Sequence, residues 1–398
     1  MRNNLSKFKK IEELLSRGVE EIIDKSNLEN KLKSVKPLRV KLGIDPTSPN
    51  IHLGRSIPLL KLRDFQELGH KIIFIIGDFT GLIGDASDKD SERPMLSKET
   101  VEENLKTYIK QAAKIINIDT AEIYHNSEWL GKLGYIDIGR QADIFSLSEF
   151  ISRENISRRL DSGKRVSLRE LLYPLMQGYD SVKVMADVEI GGTDQRFNLL
   201  AGRDVQRLYG QEPQDILTNP LIEGLDGRKM SSSFGNTVNL FDTPDDMFGK
   251  IMSLKDEFII KYFTLLTRVD IEIIREYESG LNAGTNPRDI KMKLAFEIVQ
   301  MYHSSNVADT ARLNWEKIFS EKKIPEIMSE IKINKGALLL DVLVAHHLIE
   351  SKTQARRLFE KGAIKNLNSD NKITDPQIKI MGPLVLRIGK KIFIKITL

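Results

Sequence analysis

Two short apolar runs constrain this chain most. Leu38 to Ile44 and Lys71 to Ile76 read as strands. Between them a helical pattern starts near His52, carries Leu59, Leu60, Leu62, Phe65 and Leu68 at helical spacing, and stops at Gly69. Strand, helix and strand joined by short links make the unit of a parallel sheet with right-handed crossovers. Ligands of such sheets collect at the carboxyl ends of the strands. Both strands end in turn-forming residues, Asp45 to Asn50 after the first and Gly77 to Asp85 after the second.

The rest of the chain extends this layout. An amphipathic helix with Phe8, Ile11, Leu14 and Leu15 on one side opens it, and helical patterns dominate from Lys98 to Asp180. Val184 to Ile190 reads as a strand that ends in Gly191-Gly-Thr-Asp194-Gln195, a helix follows to Tyr209, and Leu217 to Ile222 reads as a last strand. Glu223 to Asn239 is polar and reads as a flexible segment. Helices are expected from Asp245 to about Glu330, one of them capped by Asn286 with Pro287 at its first position. The last 65 or so residues mix two helices with short strands. The expected division is a catalytic α/β domain over 1–225 with an inserted helical segment, a mobile loop over 226–245, a helical domain over 246–330 and a small α+β domain over 331–398.

Composition narrows the class. With 398 residues, 40% hydrophobic and 29% charged, the chain has globular composition and is long enough for two or three domains. It has no cysteine, which excludes disulfides, thiolate metal sites and a cysteine nucleophile, and which suits a reducing cytosol. Ile72 to Ile76 is typical of its longest apolar runs, far below the roughly 20 residues that span a bilayer. Met1 to Lys10 is polar and basic, without the apolar stretch of a secretory signal. A cytoplasmic protein without membrane association is expected. Charge is uneven: Asn334 to Leu398 holds 12 Lys and Arg against 5 Asp and Glu, a net of +7, while the remainder holds 48 against 51, a net of −3. A basic tail on a slightly acidic body fits a tail that meets a polyanion, and equally a well-solvated terminal domain.

Two segments carry the chemistry of a nucleotide. The first is Asp45-Pro-Thr-Ser-Pro-Asn-Ile-His52-Leu-Gly54-Arg55, placed between strand and helix. A helix start presents unpaired N–H groups and the positive dipole end, which suit a phosphate. Gly54 permits close approach of a ligand to the backbone, and His52 has a donor for phosphate oxygens as their charge develops. The second is Leu225-Asp-Gly-Arg-Lys229-Met230-Ser231-Ser232-Ser233. A lysine followed by three hydroxyls can wrap a polyphosphate and neutralise a departing pyrophosphate. Each segment also has a plainer reading, a helix start with an incidental histidine and a solvated serine-rich linker.

Together the two resemble the paired signatures of class I aminoacyl-tRNA synthetases, normally His-Ile-Gly-His and Lys-Met-Ser-Lys-Ser. Three more segments are similar to the bacterial tyrosine branch of that family: Gly77 to Asp85, Tyr173-Pro-Leu-Met-Gln177-Gly-Tyr-Asp180, and Gly191 to Gln195. The likeness spans nearly the whole chain. It implies a Rossmann-like parallel-sheet catalytic domain, then an α-helical anticodon-binding domain and a small α+β RNA-binding domain.

The implied reaction has two steps. The tyrosine carboxylate attacks the α-phosphate of ATP, with Mg²⁺ accompanying the nucleotide and no protein-bound metal. The adenylate then passes tyrosine to the terminal ribose of tRNA(Tyr). His52, Arg55, Lys229, Ser231, Ser232 and Ser233 would stabilise the transition state. Asp45, Gly54, Gly192, Asp194 and Met230 would join His52 and Lys229 around ATP. Lys41, Gly43, Asp85, Tyr173, Gln177, Asp180 and Gln195 would surround tyrosine. Of these, Asp85, Tyr173 and Gln177 would hold the α-ammonium, Asp180 the phenol hydroxyl and Gln195 the carboxylate. Tyr173, Gln177 and Asp180 fall at i, i+4 and i+7, one helix face. A carboxylate aimed at a hydroxyl rejects phenylalanine, which would leave it unpaired.

The tail adds a similarity to the alpha-L RNA-binding motif around Ser351 to Ile364. There Ala355, Leu358 and Phe359 share one arc of a helix, while Lys352, Arg356, Arg357 and Lys361 take the opposite half and would meet phosphates. The family likeness also implies a homodimer. Arg55 stands in place of the second signature histidine, and Ser232 in place of the second lysine. Lys41 stands where many bacterial members carry a tyrosine that helps hold the phenol; another bacterial subgroup differs there, and this chain resembles that subgroup. Pro58 falls a few residues into a helix, where it is tolerated only in the first turn or at a kink. The tryptophan enzyme shares the fold and both signatures, and a non-catalytic RNA-binding relative would tolerate the altered positions, so both remain alternatives.

Overall fold

The computed structural model describes residues 2–34, 36–85, 95–320, 329–333, 335–346, 348–349, 351–369, 371–389 and 392–397. The chain divides into two compact units, Met1–Asp309 and Thr310–Leu398.

The first unit opens with α1 (Arg2–Ser16), β1 (Glu21–Ile23), α2 (Lys25–Lys33), β2 (Arg39–Ile44), α3 (Leu53–Glu67) and β3 (Lys71–Ile76). It continues through α4 (Thr80–Ile83), α5 (Lys98–Ala112), β4 (Glu122–His125), α6 (Ser127–Leu130), α7 (Tyr135–Asp143), α8 (Leu147–Ile151), α9 (Glu154–Asp161) and α10 (Leu168–Val184). Then come β5 (Val188–Gly192), α11 (Arg196–Leu208) and β6 (Asp215–Asn219). The sheet order is β1-β6-β5-β2-β3-β4. The strands β2 to β6 pair in parallel and β1 closes one edge antiparallel to β6. From β2 the chain winds outward one way through β3 and β4. From β5 it winds the other way through β6. The direction therefore switches between β2 and β5, where an open α/β sheet has its ligand crevice.

The strands are apolar because both faces are covered: Ile72 to Ile76 and Val188 are all buried. Helices α10 and α11 pack closely. A Cβ at Gly178 would stand 2.9 Å from Val205 and 3.2 Å from the Gly202 backbone, so a larger residue would force the helices apart.

The structure differs from the sequence reading at four places. Val184 ends α10 and the strand starts at Val188, because Met185 takes a left-handed conformation that stops the helix. Apolar residues on both sides of that stop merge into one run in the sequence. The segment 98–180 holds a strand, β4, whose four residues are only half-buried and show no apolar run. The last parallel strand ends at Asn219 rather than reaching Ile222. The segment 223–239 is organised: Met230 N–H bonds the Ile222 carbonyl, Leu225 N–H the Asn236 carbonyl, and Gly224 N–H the Arg228 carbonyl. Pro58 lies in the second turn of α3, where it has no N–H for the Gly54 carbonyl.

Helices α12 (Pro244–Met252), α13 (Ile259–Leu266), α14 (Ile271–Asn282), α15 (Pro287–Tyr302) and α16 (Ser305–Ser320) follow. Residues 321–328, within the expected helical stretch, lie outside the described residues. Asn286 caps α15, accepting from the Arg288 N–H, with Pro287 at the first position. Tyr302 at its end donates a buried 3.1 Å bond to Ser56 of α3. The end of α1 is tied to the same body: the guanidinium of Arg17, which follows it, bonds the Phe263, Thr264 and Val269 carbonyls, and Lys61 of α3 donates to the Leu14 and Arg17 carbonyls.

The second unit has β7 (Ser329–Lys332), α17 (Leu339–Ala345), α18 (Lys352–Glu360), β8 (Ile364–Asn366), β9 (Lys372–Ile373), β10 (Leu384–Ile388) and β11 (Ile392–Thr397). Its sheet order is β7-β11-β10-β8-β9. Leu339, Leu343, Phe359, Ile364, Leu386 and Ile394 form its core.

Candidate active site

The site begins where β2 and β5 part. They pair only at Val40 with Val188 and Lys41 with Glu189. Beyond that point β2 follows β3 to Ile44, and β5 follows β6 to Gly192. The gap leads into one cavity lined by residues from both strand ends, α10, the start of α3 and the 229–233 loop.

Asp45, just after β2, accepts a 2.7 Å bond from Thr80 Oγ1 on Oδ1 and a 2.8 Å bond from the Tyr173 hydroxyl on Oδ2. This carboxylate explains Gly77: a Cβ there would stand 2.0 Å from Asp45 Oδ1. Burial, and then Asp45, push the Tyr173 hydroxyl well above its ordinary pKa, so it stays a donor to Asp45.

Along α10, Tyr173, Gln177 and Asp180 all face this cavity. Asp180 is buried, with Oδ1 accepting from Trp129 Nε1 at 2.7 Å and Oδ2 from Asn126 Nδ2 at 3.2 Å. Burial pushes its pKa up to about 7, against the pull of Lys41, Trp129 and Asn126. Lys41 lies beside them, fully buried; its ammonium donates to Ser181 Oγ at 2.7 Å and the Gln177 carbonyl at 2.9 Å and forms a 2.9 Å ion pair with Glu189. In the same cavity, Gln195 Nε2 donates to Asp85 at 2.7 Å and Gln195 Oε1 accepts from Asn198.

The two signature segments meet here. The Gly54 N–H points at Met230 Sδ, 3.2 Å away, and Ser48 and Ser232 hydroxyls are 3.3 Å apart. Leu53 N–H bonds the Val238 carbonyl and Leu240 N–H the Ile51 carbonyl, which pins the chain after the loop against the start of α3. The expectation of unpaired N–H groups at this helix start is therefore corrected for Leu53 and Gly54. Both are already taken, the second by a weak sulfur acceptor. Lys229 Nζ forms a 2.9 Å ion pair with Asp194. Arg55 bonds the Tyr108 hydroxyl at 2.6 Å, Thr47 Oγ1 at 2.8 Å and the Asp45 carbonyl at 3.3 Å.

His52 is buried, and its Nδ1 has no hydrogen-bond partner among the described residues. Burial first, then Arg55 and Lys229, lower its pKa to about 3. The imidazole is neutral at physiological pH and acts as a hydrogen-bonding group rather than a cation.

Every residue expected around the nucleotide and the amino acid lines this one cavity, Gly43, Gly192, Ser231 and Ser233 included. Sequence reasoning missed Thr80, Asn126, Trp129, Ser181 and Glu189. Thr80 lies inside the Gly77 to Asp85 segment and was within reach. Asn126 and Trp129 follow the overlooked β4, and Glu189 reads in the sequence only as one polar residue of a strand. In the second unit, Lys352, Arg356, Arg357 and Lys361 are exposed on and just after α18, while Ala355 and Phe359 are buried and Leu358 is half-buried. Lys352 also pairs with Asp341 at 2.8 Å.

Residues 33–320 match the family model for "tRNA synthetases class I (W and Y)". Solved structures share the fold. One is a truncated mitochondrial tyrosyl-tRNA synthetase of Aspergillus nidulans, with a TM-score of 0.66 at 20% identity, covering 78% of this chain and 94% of that one. Another is the Archaeoglobus fulgidus tyrosyl-tRNA synthetase solved with L-tyrosine, at 0.62 and 24%, covering 77% and 99%. Fold and family model together define a class I tRNA synthetase of the tryptophan and tyrosine branch. The tyrosine–tRNA ligase of Carboxydothermus hydrogenoformans is 45% identical over 96% of this chain and 97% of its own length. That of Thermotoga maritima is 43% identical over 96% of each. The chain belongs to the tyrosine–tRNA ligase family.

A neutral buried histidine leaves a mark on stability. Its folded pKa lies below the unfolded value near 6.5, so the unfolded chain binds the extra proton between about pH 3 and 6.5, and stability falls as pH drops through that window. Replacing His52→Asn removes the effect. Relative to the parent, the variant should gain about 2 kcal/mol between pH 7 and pH 5. Urea unfolding at both values checks this, and an unchanged difference would refute a neutral buried imidazole.

Proposed function

We infer that this chain activates L-tyrosine with ATP and transfers it to the 3′-terminal adenosine of tRNA(Tyr). The observation that carries the reading is the single cavity shared by His52, Lys229 and the buried carboxylate Asp180, whose residues lie far apart in the sequence. In the first step the tyrosine carboxylate oxygen bonds to the α-phosphorus of ATP as the bond from that phosphorus to the α,β-bridging oxygen breaks. Tyrosyl-adenylate and pyrophosphate form, and Mg²⁺ arrives with the nucleotide. In the second, a ribose hydroxyl of the tRNA end attacks the adenylate carbonyl, releasing AMP and the hydroxyl proton. No covalent bond to the protein is needed, so rate comes from positioning and electrostatic stabilisation.

Roles follow from chemistry. Lys229, Arg55 and the Ser231 to Ser233 hydroxyls face the developing phosphate charge, with neutral His52 as a further hydrogen-bonding partner. Gly54, Met230, Gly192 and Asp45 shape the nucleotide side. Asp194 takes the ribose hydroxyls, which means that ATP must displace Lys229 from it, handing the lysine to the phosphates. Asp85, Tyr173 and Gln177 receive the α-ammonium, Gln195 orients the carboxylate, and Gly43 lets the ligand pass close to β2. Asp180 accepts the phenol hydroxyl: a carboxylate with two N–H donors still has lone pairs for a third.

The helices over 246–330 are proposed to bind the anticodon region. The exposed Lys352, Arg356, Arg357 and Lys361 are proposed to meet RNA phosphates, as the net positive tail supports. A homodimer is supported by large exposed apolar side chains near the middle of the first unit, including Tyr135, Ile136, Leu147 and Leu168. Among the described residues no helix is long and apolar enough to cross a membrane. A cytoplasmic location is proposed.

ATP–pyrophosphate exchange tests the assignment. Exchange should require tyrosine, and a tryptophan-dependent signal without a tyrosine one would reverse the choice. Lys229→Ala should slow activation by about 100-fold or more while tyrosine binding changes little, because its contact strengthens only as charge develops. Equal losses in both would remove Lys229 from that role.

Discrimination against phenylalanine should depend on pH. Asp180 has a folded pKa of about 7, so it ionises as pH rises through neutrality. The charged form gains from the phenol donor and is penalised by a bare ring. The tyrosine-to-phenylalanine ratio of kcat/KM in exchange should therefore climb between pH 6 and 8. A flat ratio would contradict direct contact between Asp180 and the phenol.

A further inference from the structure

An ammonium ion donates hydrogen bonds and accepts none, so its site must be built from acceptors. Two of the three groups read as holding the tyrosine ammonium are ambivalent: a phenol and a primary amide can each donate. The structure disposes of both donors. The Tyr173 proton goes to Asp45 Oδ2. The Gln177 amide nitrogen goes to Glu189 Oε1, 3.0 Å away. Gln177 Oε1 then has no partner among the described residues, and its side chain lines the cavity.

Glu189 sits at the last paired position between β2 and β5, opposite Lys41. It is 1% exposed. Its carboxylate accepts from three side chains, Gln177 on Oε1 and Ser181 and Gln214 on Oε2, and Oε1 is ion-paired with Lys41. An anionic carboxylate has no proton to donate, so it cannot stabilise the flipped amide, whose oxygen would face it at hydrogen-bond distance. Lys41 is the buried counter-ion that lets this anion exist without water. Lys41 donates to Ser181 and the Gln177 carbonyl and stands 2.9 Å from Glu189, so its charge is matched within the protein.

We propose that Glu189, charged and held by Lys41, is a positioning residue that fixes the Gln177 amide with its oxygen toward the substrate α-ammonium, and that Lys41 acts through this anion rather than by touching tyrosine. The proposal rests on the tyrosine-binding reading of the cavity. It extends that reading to a pair buried behind the contact residues.

The test is Glu189→Gln, which keeps shape but permits the amide of residue 189 to donate to Gln177 Oε1 and so to accommodate the wrong orientation. Because this change strands the Lys41 charge, Lys41→Met/Glu189→Gln is made beside it, and circular dichroism establishes that each is folded. Two probes are titrated against intrinsic tryptophan fluorescence and, in competition, against pyrophosphate exchange: L-tyrosine, and 3-(4-hydroxyphenyl)propanoate, which lacks only the ammonium. Tyrosine should bind about tenfold or more weakly to both variants, the order expected when a charge-assisted hydrogen bond is lost. The propanoate should shift less than about twofold, and KM for ATP should hold. Equal weakening of both probes would make Glu189 a structural residue only. Unchanged tyrosine affinity in a folded variant would overturn the proposal outright. If the unaltered protein bound the two probes equally, the ammonium site itself would be misassigned, a failure of the underlying reading that is visible without any variant.

Discussion

The structure turns on the separation of β2 from β5. Each is fixed on its outer side, β2 by β3 as far as Ile44 and β5 by β6 as far as Gly192, so neither needs the other beyond Lys41 and Glu189. Backbone groups on the facing edges of Leu42 to Ile44 and Ile190 to Gly192 therefore lack ladder partners across the gap, and buried backbone groups require partners. A cavity there is already supplied with polar atoms before any side chain is counted. The turns that follow, at Asp45 and at Gly192 to Gln195, fall at its mouth for the same topological reason.

Side chains then divide the cavity by charge. Carboxylates come from the turns after the strands and from α10: Asp45, Asp85, Asp180 and Asp194. Apart from Lys41, which is paired with Glu189, cations come from the start of α3 and the loop that docks on it, Arg55 and Lys229. A zwitterionic amino acid and a polyphosphate have complementary needs, and the division accommodates both in one space. The ion pair between Lys229 and Asp194 bridges the two regions. The buried pair of Lys41 and Glu189 does different work. It carries no net charge to the site, yet its carboxylate takes the nitrogen end of the Gln177 amide.

Much of this was legible in the chain itself. The apolar runs at 38–44 and 71–76, the turn residues after them and the period of Tyr173, Gln177 and Asp180 depend on local geometry, which sequence spacing reports directly. The α18 face was legible for the same reason: Ala355 and Phe359, four residues apart, are buried while Arg356 and Arg357 are not. The half-buried β4 was not, since Glu-Ile-Tyr-His alternates too weakly to read as a strand. With it went Asn126 and Trp129, the donors that flank Asp180. The boundary of β5 was displaced by Met185, whose left-handed backbone is unusual for a side chain of that kind and leaves no sequence signal.

By itself the sequence determined the elements and their chemistry: which segments are strands, which turns suit phosphates, and which residues have the hydrogen-bonding character of an amino-acid site. These properties are local, set by side-chain type and spacing within a few residues. Tertiary structure alone decided direction and partnership. Whether Tyr173 donates inward or outward depends on Asp45, 128 positions away, and the orientation of Gln177 depends on a glutamate from a neighbouring strand. Lys41 gained a buried counter-ion only because strand pairing set it opposite Glu189. A hydrogen bond is directional and needs both partners in place, and no single segment of the chain contains both.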